Sequence, residues 1–188
     1  MKILLTHLKL MLGVIALIGL SQFALADSPL ADTIKAGDRQ TALAMVRAGA
    51  NVNQPQNDGT TPLHWAVYQV DPELVATLLR NEADANVSND FGATPLSQAA
   101  RVANTEMIAM LLEAGADPNQ ANSDGQTPLM LAAWTGVVEV AELLINHGAD
   151  VNAEERWTGQ SALMWAASRN HAEMTELLNQ SIKHLVLH

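Results

Sequence analysis

The chain has 188 residues, 48% of them hydrophobic, enough for one domain with a substantial core and too short for two ordinary ones. Twenty acids against ten Lys and Arg leave a net charge of −10, a surface that repels phosphate backbones and argues against a general nucleic-acid role. Cysteine is absent, which rules out disulfides, thiolate metal sites and cysteine nucleophiles, and suits a bacterial envelope protein better than a small disulfide-rich secreted domain.

The first segment carries Lys2 and Lys9, then an unbroken apolar run from Leu10 to Leu20, then Ala24-Leu25-Ala26 ahead of the first acid, Asp27. This order of charged, apolar and small-x-small regions predicts a secretory signal over 1–26, cut after Ala26. The 11-residue run is well short of the roughly 20 that a spanning helix needs. An uncleaved signal-anchor is the alternative. Cleavage would leave 8 cations against 20 acids, a mature charge of −12, in a periplasmic or secreted protein with no membrane attachment.

From Ser28 onward the chain repeats itself. Thr61-Pro62-Leu63-His64-Trp65-Ala66 returns as Thr94-Pro95-Leu96-Ser97-Gln98-Ala99, as Thr127-Pro128-Leu129-Met130-Leu131-Ala132, and in degraded form as Ser161-Ala162-Leu163-Met164-Trp165-Ala166. The steps are 33, 33 and 34 residues, and Ser28-Pro29-Leu30 lies 33 residues upstream of the first copy. A second marker keeps the same period: Gly49-Ala50, Glu82-Ala83, Gly115-Ala116 and Gly148-Ala149, followed by Asn53, Asn86, Asn119 and Asn152. Repeats are therefore expected at about 28–53, 54–86, 87–119, 120–152 and 153–181, with 182–188 as a short tail.

Each repeat predicts two helices. Thr or Ser before Pro caps and opens the first. Ala66, Ala99, Ala132 and Ala166 let two antiparallel helices approach. Asp71-Pro72-Glu73 and Asn104-Thr105-Glu106 open second helices that continue into Leu78-Leu79, Leu111-Leu112 and Leu144-Ile145. Glycine at 49, 115 and 148 supplies the left-handed residue that ends them, so Glu82 is expected to be strained or to alter the helix end. Asp58-Gly59 and Asp124-Gly125 suit tight hairpin turns. The fifth repeat has one extra residue near Glu154 to Thr158.

On the TPLHxA and GADxN motifs, in register over about 28–180, the chain resembles the ankyrin-repeat family. The resemblance implies an all-α solenoid of about five repeats with short β-hairpin fingers, the first and last repeats acting as caps.

No phosphate loop, HExxH or GxSxG is present, and no catalytic, cofactor-binding or metal-binding residue is expected. His64, His147 and His171 fit structural roles in the repeat. His184 and His188 are four apart, but no third ligand accompanies them. Asn86-Val87-Ser88 matches a glycosylation acceptor while Asn86 is also the repeat asparagine. Met45, Met107, Met110, Met164 and Met174, together with Trp65 and Trp165, are expected in the core, and Glu154-Glu155 in a solvated finger.

The family's partners usually meet the finger tips and the exposed end of each first helix, on the concave side. The period places Lys35, Tyr68, Arg101, Trp134 and Ser168 at one equivalent position there, with Arg169 beside Ser168. Finger positions add Asp58, Phe91, Asp124 and Trp157. Exposed aromatics with arginine neighbours mark binding hot spots, so the candidate partner-binding set is Lys35, Tyr68, Phe91, Arg101, Trp134, Trp157 and Arg169. The expected function is a monomeric, exported, non-enzymatic module that binds another protein as scaffold, inhibitor or immunity-type partner. A membrane-attached interaction protein, or a metal-binding or enzymatic envelope protein, are the alternatives.

Overall fold

The computed structural model describes residues 28–186, so the export signal expected over 1–26 lies outside the described residues, as does His188. Among the described residues ten helices form five antiparallel pairs: α1 (Pro29–Lys35) with α2 (Arg39–Arg47), α3 (Pro62–Tyr68) with α4 (Pro72–Arg80), α5 (Pro95–Arg101) with α6 (Thr105–Glu113), α7 (Pro128–Thr135) with α8 (Val138–Asn146), and α9 (Ala162–Ser168) with α10 (Ala172–Val186). The last helix runs past residue 181, so the expected tail is helical as far as Val186.

The first helices start where the sequence signals them. Thr94 Oγ1 accepts the Ser97 N–H at 3.1 Å while Ser97 Oγ accepts the Thr94 N–H at 2.9 Å, a reciprocal cap of two otherwise unpaired amides. In α3 the N3 partner is His64, whose Nδ1 takes the Thr61 N–H at 3.2 Å. Its Nε2 then faces the Ala93 carbonyl of the next finger at 2.9 Å. A ring held this way is neutral, and burial pushes its pKa down. Ser161 makes no such cap, and Ser28 turns away to donate to the Gln54 carbonyl at 2.6 Å, so both terminal repeats depart from the inner ones. Second helices are capped by Asp38, Asp71 and Asn104, which accept from Thr41, Leu74 and Met107 N–H groups.

Packing follows the period. Ala66, Ala99, Ala132 and Ala166 are fully buried, as are Leu63, Leu96 and Leu129 beside them. Leu78, Leu111, Leu144 and Leu178 from the second helices join the same continuous core. Met107 and Met174 are buried and Met45 and Met110 pack against the core, but Met164 is 53% exposed, contrary to expectation. Its register is that of His64, Ser97 and Met130, all buried, of which His64 meets the following finger at the Ala93 carbonyl. No finger follows Met164 among the described residues.

The fingers are tighter than β-hairpins. A backbone bond closes each, Gln56 N–H to Thr60 O, Asn89 to Ala93, Asn122 to Gln126 and Glu155 to Gln160, and in the first three a glycine N–H (Gly59, Gly92, Gly125) also donates back to the carbonyl of Gln56, Asn89 or Asn122. The described residues contain no named strand, and an isolated bridge pairs Glu154 with Ser161. The last span is one residue longer, as the sequence predicts. Adjacent fingers are tied by one backbone bond each, Asp90 N–H to Asp58 O, Ser123 to Phe91 and Arg156 to Asp124.

Candidate functional site: the first-helix ends and fingers

The 33-residue step turns sequence positions into rows. Lys35, Tyr68, Arg101 and Ser168 are the last residues of α1, α3, α5 and α9, and Trp134 is next to last in α7. All five are exposed, Tyr68 by 59% and Trp134 by 47%. One helical turn earlier lies a second row, Trp65, Gln98, Leu131 and Trp165, on the same face because residues three apart are neighbours on a helix.

The two rows are knitted together by ring contacts. Trp65 and Tyr68 meet edge to face at 5.5 Å, and the Lys35 ammonium lies 4.9 Å from the Trp65 ring centre. At the other end Trp134 and Trp165 meet at 5.7 Å with planes at 69°, and the Arg169 guanidinium lies 3.7 Å from the Trp134 ring. Between Arg101, Gln126, Leu131, Trp134, Thr135 and Trp165 opens a cleft of about 430 Å³. Trp65 and Trp165 are thus not plain core residues. Both are half-buried, with one edge against the core and the other against the exposed rings. Their sequence position, in the slot held by Leu131 in the fourth repeat, gives no hint of that second contact.

The two tryptophans differ in one respect. Trp65 Nε1 donates to Gln56 Oε1 at 2.7 Å, but Trp165 Nε1 is buried without a partner. The fifth-repeat counterpart of Gln56 is Glu155, and Glu155 is occupied. Its carboxylate accepts the N–H groups of Trp157 (2.7 Å), Thr158 (2.8 Å) and Gln160 (3.2 Å) and the Thr158 hydroxyl. These bonds, the hydroxyl foremost, hold its pKa down to about 2. The expectation of a solvated Glu155 is overturned: its own finger covers it and leaves it 7% exposed. Glu154 is exposed as expected.

Phe91 and Trp157 stand at finger tips, 70% and 78% exposed, away from the cleft. Trp157 Nε1 donates to Asp124 Oδ1 of the preceding finger at 3.2 Å. The structure therefore brings Arg101, Trp134 and Arg169 to one place and Lys35 and Tyr68 to another, with Phe91 and Trp157 on separate tips.

Acids are unevenly divided between the two sets of helices, while cations occur on both. The first helices hold a single acid, Asp32, which accepts a hydrogen bond from Gln56. The second helices carry Glu73, Glu106, Glu113, Glu139, Glu142, Glu173 and Glu176. His147 and His171 serve the backbone: His147 Nδ1 lies 2.8 Å from Leu143 O, and His171 Nε2 lies 3.2 Å from Trp134 O. The Asn86 amide donates to Gly115 O at 2.9 Å, the repeat role expected of it. Among the described residues no group of three or more His, Asp or Glu could hold a metal ion, and no helix is long and apolar enough to cross a membrane.

A family profile described as ankyrin repeats (three copies) matches the chain over residues 30–122, 69–155 and 120–185, most of its length. The chain belongs to the ankyrin-repeat family. Ankyrin repeats are typically non-enzymatic modules that bind other proteins. Comparison with curated proteins returns no match.

Proposed function

We propose that this ankyrin-repeat protein is exported, loses residues 1–26 as a signal, and acts in the periplasm or outside the cell as a monomeric, non-enzymatic binding module. Repeats at about 28–53 and 153–181 serve as its caps, and its role is that of scaffold, inhibitor or immunity-type partner to another protein. The partner is gripped along the concave face and fingers by Lys35, Tyr68, Phe91, Arg101, Trp134, Trp157 and Arg169. The observation that carries this reading is the exposure of Tyr68 and Trp134, each held by an aromatic neighbour, on the side of an acidic chain where the helices hold a single acid. Rigid, pre-placed aromatic rings lose little entropy on docking, which is why such residues dominate binding energy.

The test is capture of a partner from envelope extract by the chain beginning at Asp27, followed by affinity measurement. Trp134→Ala and Arg101→Ala should each weaken binding by about 1 kcal/mol or more. Glu142→Ala, exposed on α8, should change it little. Equal loss from both faces, or unfolding by Trp134→Ala, would sink the concave-face reading. N-terminal sequencing of exported material that returned Met1 would sink the cleavage.

A further inference from the structure

Of the three cations on the first-helix side, Arg101 stands apart. Lys35 rests over Trp65 and Arg169 over Trp134, whereas Arg101 has no ion pair, hydrogen bond or ring contact among the described residues. Its exposed guanidinium borders the cleft walled by Leu131, Trp134 and Trp165. The side-chain polar groups in that cleft are unbalanced. Thr135 already donates to the Ala132 carbonyl at 2.9 Å. Gln126 Oε1 already accepts from Asn122 Nδ2 at 3.0 Å, which leaves its NH₂ as a donor. The Trp165 indole N–H has no acceptor. No carboxylate lines the space. What remains is an apolar recess with three uncommitted donors, the Gln126 NH₂, the Trp165 N–H and the charged Arg101 guanidinium, against which the Thr135 hydroxyl oxygen can only accept.

We infer that this cleft receives a partner segment in which a bulky apolar side chain lies next to an aspartate or glutamate. The apolar group sits against Trp134, Trp165 and Leu131, and the carboxylate pairs with Arg101. The inference rests on the concave-face reading above and narrows it to one chemistry. The chain carries 20 acids, so it repels an acidic partner over most of its surface and accepts one where a cation is free. A charge so placed acts on specificity and register more than on raw affinity, rejecting a lysine at the same point.

The experiment selects binders for the full chain from a random displayed peptide library. The consensus is then synthesised with both termini capped, so that only a side chain supplies a carboxylate. Fluorescence anisotropy compares the peptide, and its Glu-to-Gln or Asp-to-Asn twin, on the natural chain, Arg101→Gln and Trp134→Ala, each with an unchanged circular dichroism spectrum. The expected consensus pairs a bulky apolar residue with an acid. The twin should bind the natural chain roughly tenfold more weakly, and Arg101→Gln should erase that difference. Binders without an acid, or an acid effect that survives Arg101→Gln, overturn the inference; if Trp134→Ala still weakens those binders, the concave-face reading stands. Binders indifferent to Trp134→Ala overturn both.

Discussion

Val70, Glu82, Ala103 and Asn170 hold positive φ angles of 53°, 66°, 52° and 65°. L side chains pay for that geometry through contact of Cβ with the backbone, roughly 1–2 kcal/mol per residue, and a β-branched side chain is the least suited. Residue 70 sits in the turn between paired helices, where Gly37 and Gly136 occupy the same register at 77° and 79°. Residue 82 ends a second helix, where Gly49, Gly115 and Gly148 do so. Both side chains are exposed, so removing either forfeits little packing. Glycine also loses more chain entropy on folding, about 0.5–1 kcal/mol, which offsets part of the gain. Val70→Gly should therefore raise stability by about 1 kcal/mol and Glu82→Gly by somewhat less. Urea unfolding at neutral pH reads this directly, and a lower midpoint for Val70→Gly would mean that the Val70 side chain holds the turn. The strain at Glu82 was legible because three of its counterparts are glycine. That at Val70 was not, because only two of the five turns carry one and the left-handed residue is imposed by folding the second helix back on the first.

The fingers show what a period can and cannot reveal about an element. Their positions, and the extra residue in the last one, follow from the 33- and 34-residue steps. That they are tight turns with no named strand among the described residues does not, since a turn signal says nothing about how far pairing extends beyond it. In the third and fourth repeats Asn89 and Asn122 accept two finger amides each. In the longer fifth finger Glu155, one methylene longer, does that work. The same substitution deprives Trp165 of the acceptor that Gln56 gives Trp65, and so shapes the cleft. Thus the exposed row from Lys35 to Ser168 was legible from spacing alone, whereas the cleft was not. It depends on rings that share a slot with leucine and on a carboxylate that turns into its own loop. Met164 escaped for a related reason, since its burial would need a finger from the next repeat. Glu155 yields a pH prediction. Its pKa falls from the ordinary 4.5 to about 2 on folding, so the unfolded chain binds the proton more readily. Its contribution is full above pH 4.5 and is lost as pH falls toward 2. Glu155→Gln should be less stable than the natural chain at neutral pH, and the gap should shrink over that window. Thermal melts at pH 7, 4 and 3 check it; a gap independent of pH would mean that the ionised form holds no advantage.

Across the whole molecule, helix pairs pack against their own partner and the next pair along, so stability is passed from neighbour to neighbour. A row of asparagines stitches these junctions. Asn53 Nδ2 donates to Glu82 O at 2.9 Å while its Oδ1 accepts the Asp84 N–H at 2.8 Å. Asn86 does the same with Gly115 and Asp117, and Asn119 with Gly148 and Asp150, at 2.7–2.9 Å. Each bond pair satisfies one carbonyl and one amide at the end of the following repeat's second helix. Asn152 has the same place in its repeat, yet its side chain makes no such bond among the described residues, where no further Gly-Ala-Asp turn follows. The two sites thus share residue type, register and exposure and differ in the junction alone. Asn119→Ala should cost about 1–2 kcal/mol, since water at this exposed site replaces part of what is lost. Asn152→Ala should stay within about 0.5 kcal/mol of the natural chain. Asn119 also ties the third repeat, which carries Arg101, to the fourth, which carries Trp134. Its loss should therefore speed hydrogen exchange at the Asp150 amide and weaken binding at the cleft together. Comparable destabilisation by both substitutions would show that these asparagines act within their own turns, and that the junctions are held by helix packing without them.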